Sequence, residues 1–306
     1  MRRLWKRRAL ICWLVLFSSA QGAIAGSWSF YSETALEYAQ ATFQHDASMF
    51  NPILGSPTSS LIYPGQLHSS AKLGFRQKSG EGSEIEVSIK AAFRAHSEFI
   101  DNDYLADQVL FSQTTSRTQV PTNVEIAAKF RSAPIARIGN ATTLSLAIET
   151  KVGHDIRENR GLICGGVCQS LPFVTDTQPV ITHRTTRTSI RLGPSLSTRL
   201  GERTTFDMSA LVGPSLAIID DTHHLRTNQG SPLQIQYTLF GLEMGTVFAF
   251  EHEFSEFLSV QVGITANAAH LFGQAQFSPN NERSPLLAGS AIFEEASLFA
   301  RFGGEF

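Results

Sequence analysis

Two short acidic clusters carry the residue types that hydrolytic chemistry needs. The first is Phe99-Ile100-Asp101-Asn102-Asp103-Tyr104, and the second is Asp220-Asp221-Thr222-His223-His224. In an extended segment, residues two apart project to the same side. Asp101 and Asp103 therefore form one close carboxylate pair, and Asp221 and His223 a carboxylate–imidazole couple. A histidine oriented by an aspartate takes a proton from water as a general base. A facing carboxylate pair shares a proton and holds the same water or the scissile carbonyl. The chemistry that needs all four is water-mediated hydrolysis. Exposed loops are also rich in Asp and His, so each cluster alone has a plain reading as solvated surface.

The elements that must position these residues are strands. Apolar residues recur at every second position in Leu67, Ala71, Leu73, Phe75; in Ile85, Val87, Ile89, Ala91, Phe93; and in Val124, Ile126, Ala128, Phe130. The same period runs through Leu144, Leu146, Ile148, Val152, then Phe240, Leu242, Met244, Phe248, Phe250, and then Leu258, Val260, Val262, Ile264, Ala266. The opposite parities carry Lys72, Arg76, Glu84, Glu86, Lys90, Glu125, Lys129, Arg131, Glu149, Lys151 and Glu243. Lipid on one side and a polar interior on the other produce this alternation. Both charge signs face inward, so the interior can neutralise itself with ion pairs and need not be a wide water pore.

Ten strands are expected near 28–43, 60–78, 83–100, 121–133, 141–156, 179–200, 203–220, 233–252, 256–273 and 287–306. Short turn-like connections at 78–82, 132–140, 201–203 and 253–257 alternate with long ones at 44–59, 101–120, 157–178, 221–232 and 274–286. Short turns on one side and long loops on the other are the outer-membrane pattern. Asp221 and His223 share the odd parity of Asp207, Ser209, Gly213, Ser215 and Ala217, the inward face of the seventh strand. The third strand puts its odd residues outward, so Asp101 and Asp103 face inward only after a bulge or kink.

The two ends of the chain agree with a membrane destination. Arg2, Arg3, Lys6, Arg7 and Arg8 precede the apolar run Ala9–Phe17, and Ala23-Ile24-Ala25 is a small-x-small cleavage site, which together make a secretory signal peptide. Its removal leaves 20 Lys+Arg against 27 Asp+Glu, a formal charge of −7. The last residues, SLFARFGGEF, alternate an apolar face ending in Phe306 with a polar one containing Arg301. Charged residues are 17% of the chain and mean hydropathy is near zero, which disfavours disorder. The single N-terminal apolar run is too short to span as a helix. Basic residues do not cluster beyond the first eight, which argues against a nucleic-acid partner. Cys164 and Cys168, in GLICGGVCQS, sit in an oxidising compartment, so a disulfide closing a tight loop is expected. A metal pair is the alternative, but no nearby His/Cys pair completes a four-ligand set. No metal or cofactor is expected.

In four places the chain resembles the omptins, outer-membrane aspartic-type endopeptidases. Ser56-Pro57-Thr58-Ser59-Ser60-Leu61-Ile62-Tyr63 is similar to the family's Ser-x-Leu-x-aromatic segment. Asp101-Asn102-Asp103-Tyr104 is similar to its Asp-x-Asp-aromatic pair, Asp221-Thr222-His223 to its Asp-x-His, and Phe306 to the end of its last strand. The resemblance implies an all-β fold, a ten-stranded antiparallel transmembrane β-barrel of the bacterial outer membrane. Residues 1–25 are then the signal peptide, and 26–306 the barrel with long extracellular loops. It implies catalytic roles for Asp101, Asp103, Asp221 and His223 around one water, without metal or covalent intermediate. It also implies peptide or protein substrates at the cell surface, preferably basic at the cleavage site, a lipopolysaccharide partner required for activity, and a monomer. Ile219 stands where the family has an acidic specificity residue, and Asp46 is the candidate substitute. Two other functions suit the same barrel: a catalytically silent surface scaffold, receptor or adhesin, and a small pore or lipid-modifying enzyme. Convergence of the four residues across one groove separates the first from the second. Large inward side chains argue against the pore.

Overall fold

The computed structural model describes residues 26–93, 97–166, 174–228, 231–255, 257–278 and 286–305. The strands are β1 (Gly26–Asp46), β2 (Leu54–Ser79), β3 (Glu84–Phe93), β4 (Ser97–Leu105), β5 (Val109–Arg131), β6 (Ala136–Ile138), β7 (Thr142–Gly166), β8 (Val174–Arg199), β9 (Thr204–Asn228), β10 (Ser231–Ser255), β11 (Leu258–Ser278) and β12 (Leu286–Glu305). One 3₁₀ turn, Ala106–Gln108, joins β4 to β5. All pairings are antiparallel. β1 pairs with β2 on one edge and β12 on the other, so the ladder closes on itself. β3 and β4 occupy one position between β2 and β5; β5 pairs next with β7, and β7 to β12 follow in sequence order. The three-residue β6 is an addition on β7. The ring is thus closed through ten positions. Closure matters because lipid offers backbone N–H and C=O groups no partners, and a closed ladder pairs them all internally.

The outer face follows the period-2 reading. Leu67, Phe75, Phe240, Leu242, Ile264, Leu298 and Phe302 all stand exposed, although they are large and apolar. In water this would be a liability; around a closed barrel it is the band that meets lipid. Trp28 and Tyr38 lie on this outer face, whereas Tyr31 and Tyr63 are buried inside. Tyr38 lies across Gly65, where any Cβ would fall within 2.4 Å of the phenol ring. A side chain at 65 would drive that ring off the strand.

The strands are longer than the alternation indicates. The segments read as long loops are largely ladder: β2 begins at Leu54, β5 at Val109, β7 runs to Gly166, β9 to Asn228 and β11 to Ser278. The reason is physical. Beyond the lipid both faces of a strand meet polar surroundings, so the alternation fades while the backbone pairing continues. The upper end, opposite the short turns, is therefore a tall ladder extension above the apolar band.

Inside the band, charges neutralise each other. Arg301 reaches Glu33 at 2.8 Å and Glu86 at 3.2 Å, and Lys72 reaches Glu33 at 2.8 Å. Arg131 holds Glu84 at 2.9 Å. Arg191 lies between Glu149 at 2.6 Å and Glu243 at 3.2 Å, and Arg187 reaches Glu295 at 3.2 Å. Removing one member of such a buried set leaves its partners charged and uncompensated. Arg191→Met is therefore expected to destabilise the barrel by about 3–5 kcal/mol, measured as a lower urea midpoint of the purified barrel in detergent micelles. A midpoint equal to wild type would show that water, not Arg191, screens Glu149 and Glu243.

Above the ion pairs the interior turns apolar. Phe43, Leu61, Tyr63, Phe99, Ile219, Ile235, Tyr237, Leu239, Leu271 and Phe293 form one buried cluster. Phe43 packs edge-on to Tyr63 and Phe293, at centroid separations of 5.9 and 5.3 Å. This cluster is the floor on which the candidate site stands.

Candidate active site

The first acidic pair is carried by a change of strand face. Up to Phe93 the odd residues of the β3 arm face lipid; from Phe99 onward Phe99 and Asp101 are buried inside. The neighbouring strand makes the same switch. The pairing of β1 with β2 slips between Ala39 and Ala41, which places an extra residue in β2 at Pro64–Gly65. Below this bulge Lys72 and Arg76 face the interior; above it Ser59, Leu61 and Tyr63 do. A bulge adds one residue to one strand and so exchanges its faces. The change of face that the sequence required for Asp101 and Asp103 is thus made between Phe93 and Phe99, beside the bulge of β2.

Asp101 lies opposite Leu61 on β2 and Thr114 on β5, and Asp103 opposite Ser59 and Ser112. Ser59 Oγ donates to Asp101 Oδ1 at 3.3 Å, and Ser112 Oγ to Asp103 Oδ2 at 2.8 Å. Asn102, between them, accepts from Gln113 at 3.0 Å on the other face. The pair therefore sits in a wall of hydroxyls rather than on a loop.

Asp221 and His223 share the inner face of β9, as their parity requires, and both are buried, at 1% and 4% exposure. The partner of Asp221 is one the sequence reading missed. His183, directly opposite on β8 and 0% exposed, hydrogen-bonds Asp221 Oδ1 through Nδ1. A carboxylate only accepts, so Nδ1 carries the proton; Nε2 makes a second hydrogen bond, with Thr185 Oγ1 at 2.9 Å. The ring is held between Phe43 at 4.3 Å and Tyr63 at 5.4 Å. The second carboxylate oxygen of Asp221, also buried, has no hydrogen-bond partner among the described residues. A signal for His183 existed in the sequence: it shares odd parity with Thr185, Arg187, Ser189 and Arg191, the interior face of its strand. Its neighbour Arg184, by contrast, is exposed on the outside.

Two features tie the halves together across the barrel. Tyr63 packs at a tilt against Phe99, two residues before Asp101, with ring centroids 4.9 Å apart, and also lies against His183. Tyr237, on β10, lies above the apolar band, at the level where the outward residues are Gln236 and Asp220, joined at 2.8 Å. Burial first, and then the charges of Asp221 and Asp101, push the Tyr237 phenol well above its usual range. Its hydroxyl meets His45 Nδ1 at 3.1 Å. One phenol thus senses an aspartate from each cluster.

Asp46, the candidate substitute acid, is engaged by both Ser48 and Ser56 near the tip of the β1–β2 connection. Cys164 ends in β7, but Cys168 lies outside the described residues, as do the N-terminal 25 residues and Phe306.

No protein-family model and no curated protein sequence matches the chain. Among solved structures it is similar to the outer membrane protease OmpT from Escherichia coli, with a TM-score of 0.77 over 93% of this chain and 98% of that one, at 12% identity. It is also similar to the translocator domain of the autotransporter NalP from Neisseria meningitidis, with a TM-score of 0.41, 10% identity, and coverage of 100% of this chain and 96% of that one. A third is the outer membrane protein OprG from Pseudomonas aeruginosa, with a TM-score of 0.34, 10% identity, and coverage of 94% and 98%. At this identity the OmpT likeness establishes the fold. With its closed antiparallel ladder and apolar outer band, the chain has the fold of a bacterial outer-membrane β-barrel.

Proposed function

We propose that this chain is an omptin-like endopeptidase of the bacterial outer membrane, hydrolysing surface peptides with an activated water. The observation that carries the reading is the burial of Asp101 on β4 and of Asp221 and His223 on β9 inside one barrel folded like OmpT, above its lipid band. In the proposed mechanism His223 takes the proton from water. Asp221 stabilises the imidazolium that forms, and Asp101 and Asp103 hold the water and the scissile carbonyl from the opposite wall. His183 touches no reacting atom. It is a positioning residue that fixes Asp221, leaving the second carboxylate oxygen as the one that can serve His223.

A catalytically silent surface barrel is the second reading. It draws on the near-complete burial of the Asp221–His183 pair, which would also suit a structural ion pair. Purified, folded protein with lipopolysaccharide decides between them when incubated with a mixed peptide library. Internal cleavage is expected; intact peptides after incubation with heat-modifiable, folded barrel would move the assignment to the silent reading.

A further inference from the structure

The side chains beside the couple bear on the substrate. In the row of Asp221 the neighbour on β8 is His183 and the neighbour on β10 is Ile235, which lies in turn opposite Phe277 on β11. One step up, His223 lies between Ile181 on β8 and Leu233 on β10. One step down, Ile219 lies between Thr185 and Tyr237. Leu233, Ile235 and Tyr237 share one face of β10. The carboxylate–imidazole couple is therefore bordered by an apolar wall on its β10–β11 side.

Ile235 is fully buried, but Leu233 and Phe277 are half-buried, as are Ala47 and Leu162 around the same cluster. Apolar surface thus remains open at the rim, in register with His223 and Asp221. The wall residues Leu233, Ile235 and Phe277 themselves carry no charge. Asp46, next to Ala47 at this rim, is engaged by Ser48 and Ser56.

We propose that the site takes peptides with a bulky apolar side chain next to the scissile bond, seated on Leu233 and Phe277, and disfavours Lys or Arg there. The inference rests on the endopeptidase reading. An apolar side chain on this wall exchanges water for apolar contact. An ammonium or guanidinium seated on Leu233 and Phe277 loses hydration against apolar side chains.

The test is the folded, full-length mature barrel in lipopolysaccharide–detergent micelles, with a peptide library and cleavage sites mapped by mass spectrometry. Leu, Ile, Met or Phe is expected to be enriched at one position flanking the cut. Replacing that residue by Lys in a good substrate is expected to lower kcat/KM about 10–100-fold, the range over which hydrophobic pockets discriminate. Leu233→Glu and Phe277→Glu, each checked for heat-modifiable folding, are expected to shift the preference toward Lys and Arg. Phe277→Ala, which adds no charge, is expected to weaken selectivity without reversing it. Wild-type cleavage beside Lys or Arg would overturn the substrate class and leave the endopeptidase reading standing. No cleavage of any peptide would overturn the reading and the inference together. An apolar preference untouched in all three variants would overturn the assignment to this wall.

Discussion

Asp221→Asn is expected to lower kcat/KM for peptide hydrolysis by about 10²–10⁴-fold, the range that general-base catalysis contributes, because the base His223 loses its supporting charge while the barrel still folds. The substitution keeps nearly the same shape. The Asn carbonyl can still accept from His183 Nδ1, so the packing against Phe43 and Tyr63 survives. The negative charge is what disappears, and with it the stabilisation of an imidazolium forming on His223. Asp101→Asn and Asp103→Asn are each expected to reduce the rate. Because the two carboxylates hold one water, the double variant should lose less than the product of the single effects. Steady-state kinetics with a fluorogenic peptide, run beside a heat-modifiability gel, check both points. Full activity in a folded Asp221→Asn barrel would mean that the hydrolytic site lies elsewhere.

A large effect on stability is also expected from His183. Both partners of its bond to Asp221 have side chains at 0% exposure. His183→Leu leaves a carboxylate buried among Phe43, Tyr63 and Ile235 without its donor. Breaking a buried pair by removing one member costs about 3–5 kcal/mol, so the urea midpoint in micelles should fall sharply. Adding Asp221→Leu should restore much of the loss, because two apolar groups in a buried pair's place are often neutral or better. A double-mutant cycle isolates the coupling. Neither His183→Leu nor the double variant should cleave peptides, the first because Asp221 is no longer held and the second because it is gone. If the double variant is no more stable than the single one, the bond to His183 is not what makes Asp221 tolerable in this core.

The sequence determined the barrel because lipid imposes a pattern that a single chain can show. Phe240, Leu242, Met244, Phe248 and Phe250 alternate with inward residues and stand outside as read, and Arg301 and Phe302 take opposite faces of the last strand. The short turns near 80 and 201 fell where Gly, Ser and charged residues cluster, whereas the connection read at 132–140 carries the short strand β6. The same parity placed Asp221 and His223 inside. What it missed has two physical causes. Above the membrane both strand faces are polar surroundings, so ladder such as Val109–Thr118 looks like loop and is held only by pairing with strands distant in the chain. Bulges exchange faces without a residue pattern of their own. That Asp101 points inward is decided with the extra residue at Pro64–Gly65 of the neighbouring strand, whose register β4 follows, and not by its neighbours in sequence. Likewise His183 and Asp221 are 38 residues apart. Only the register of β8 against β9 makes them partners, because which residue lies opposite which is a property of the closed ring and of no single strand.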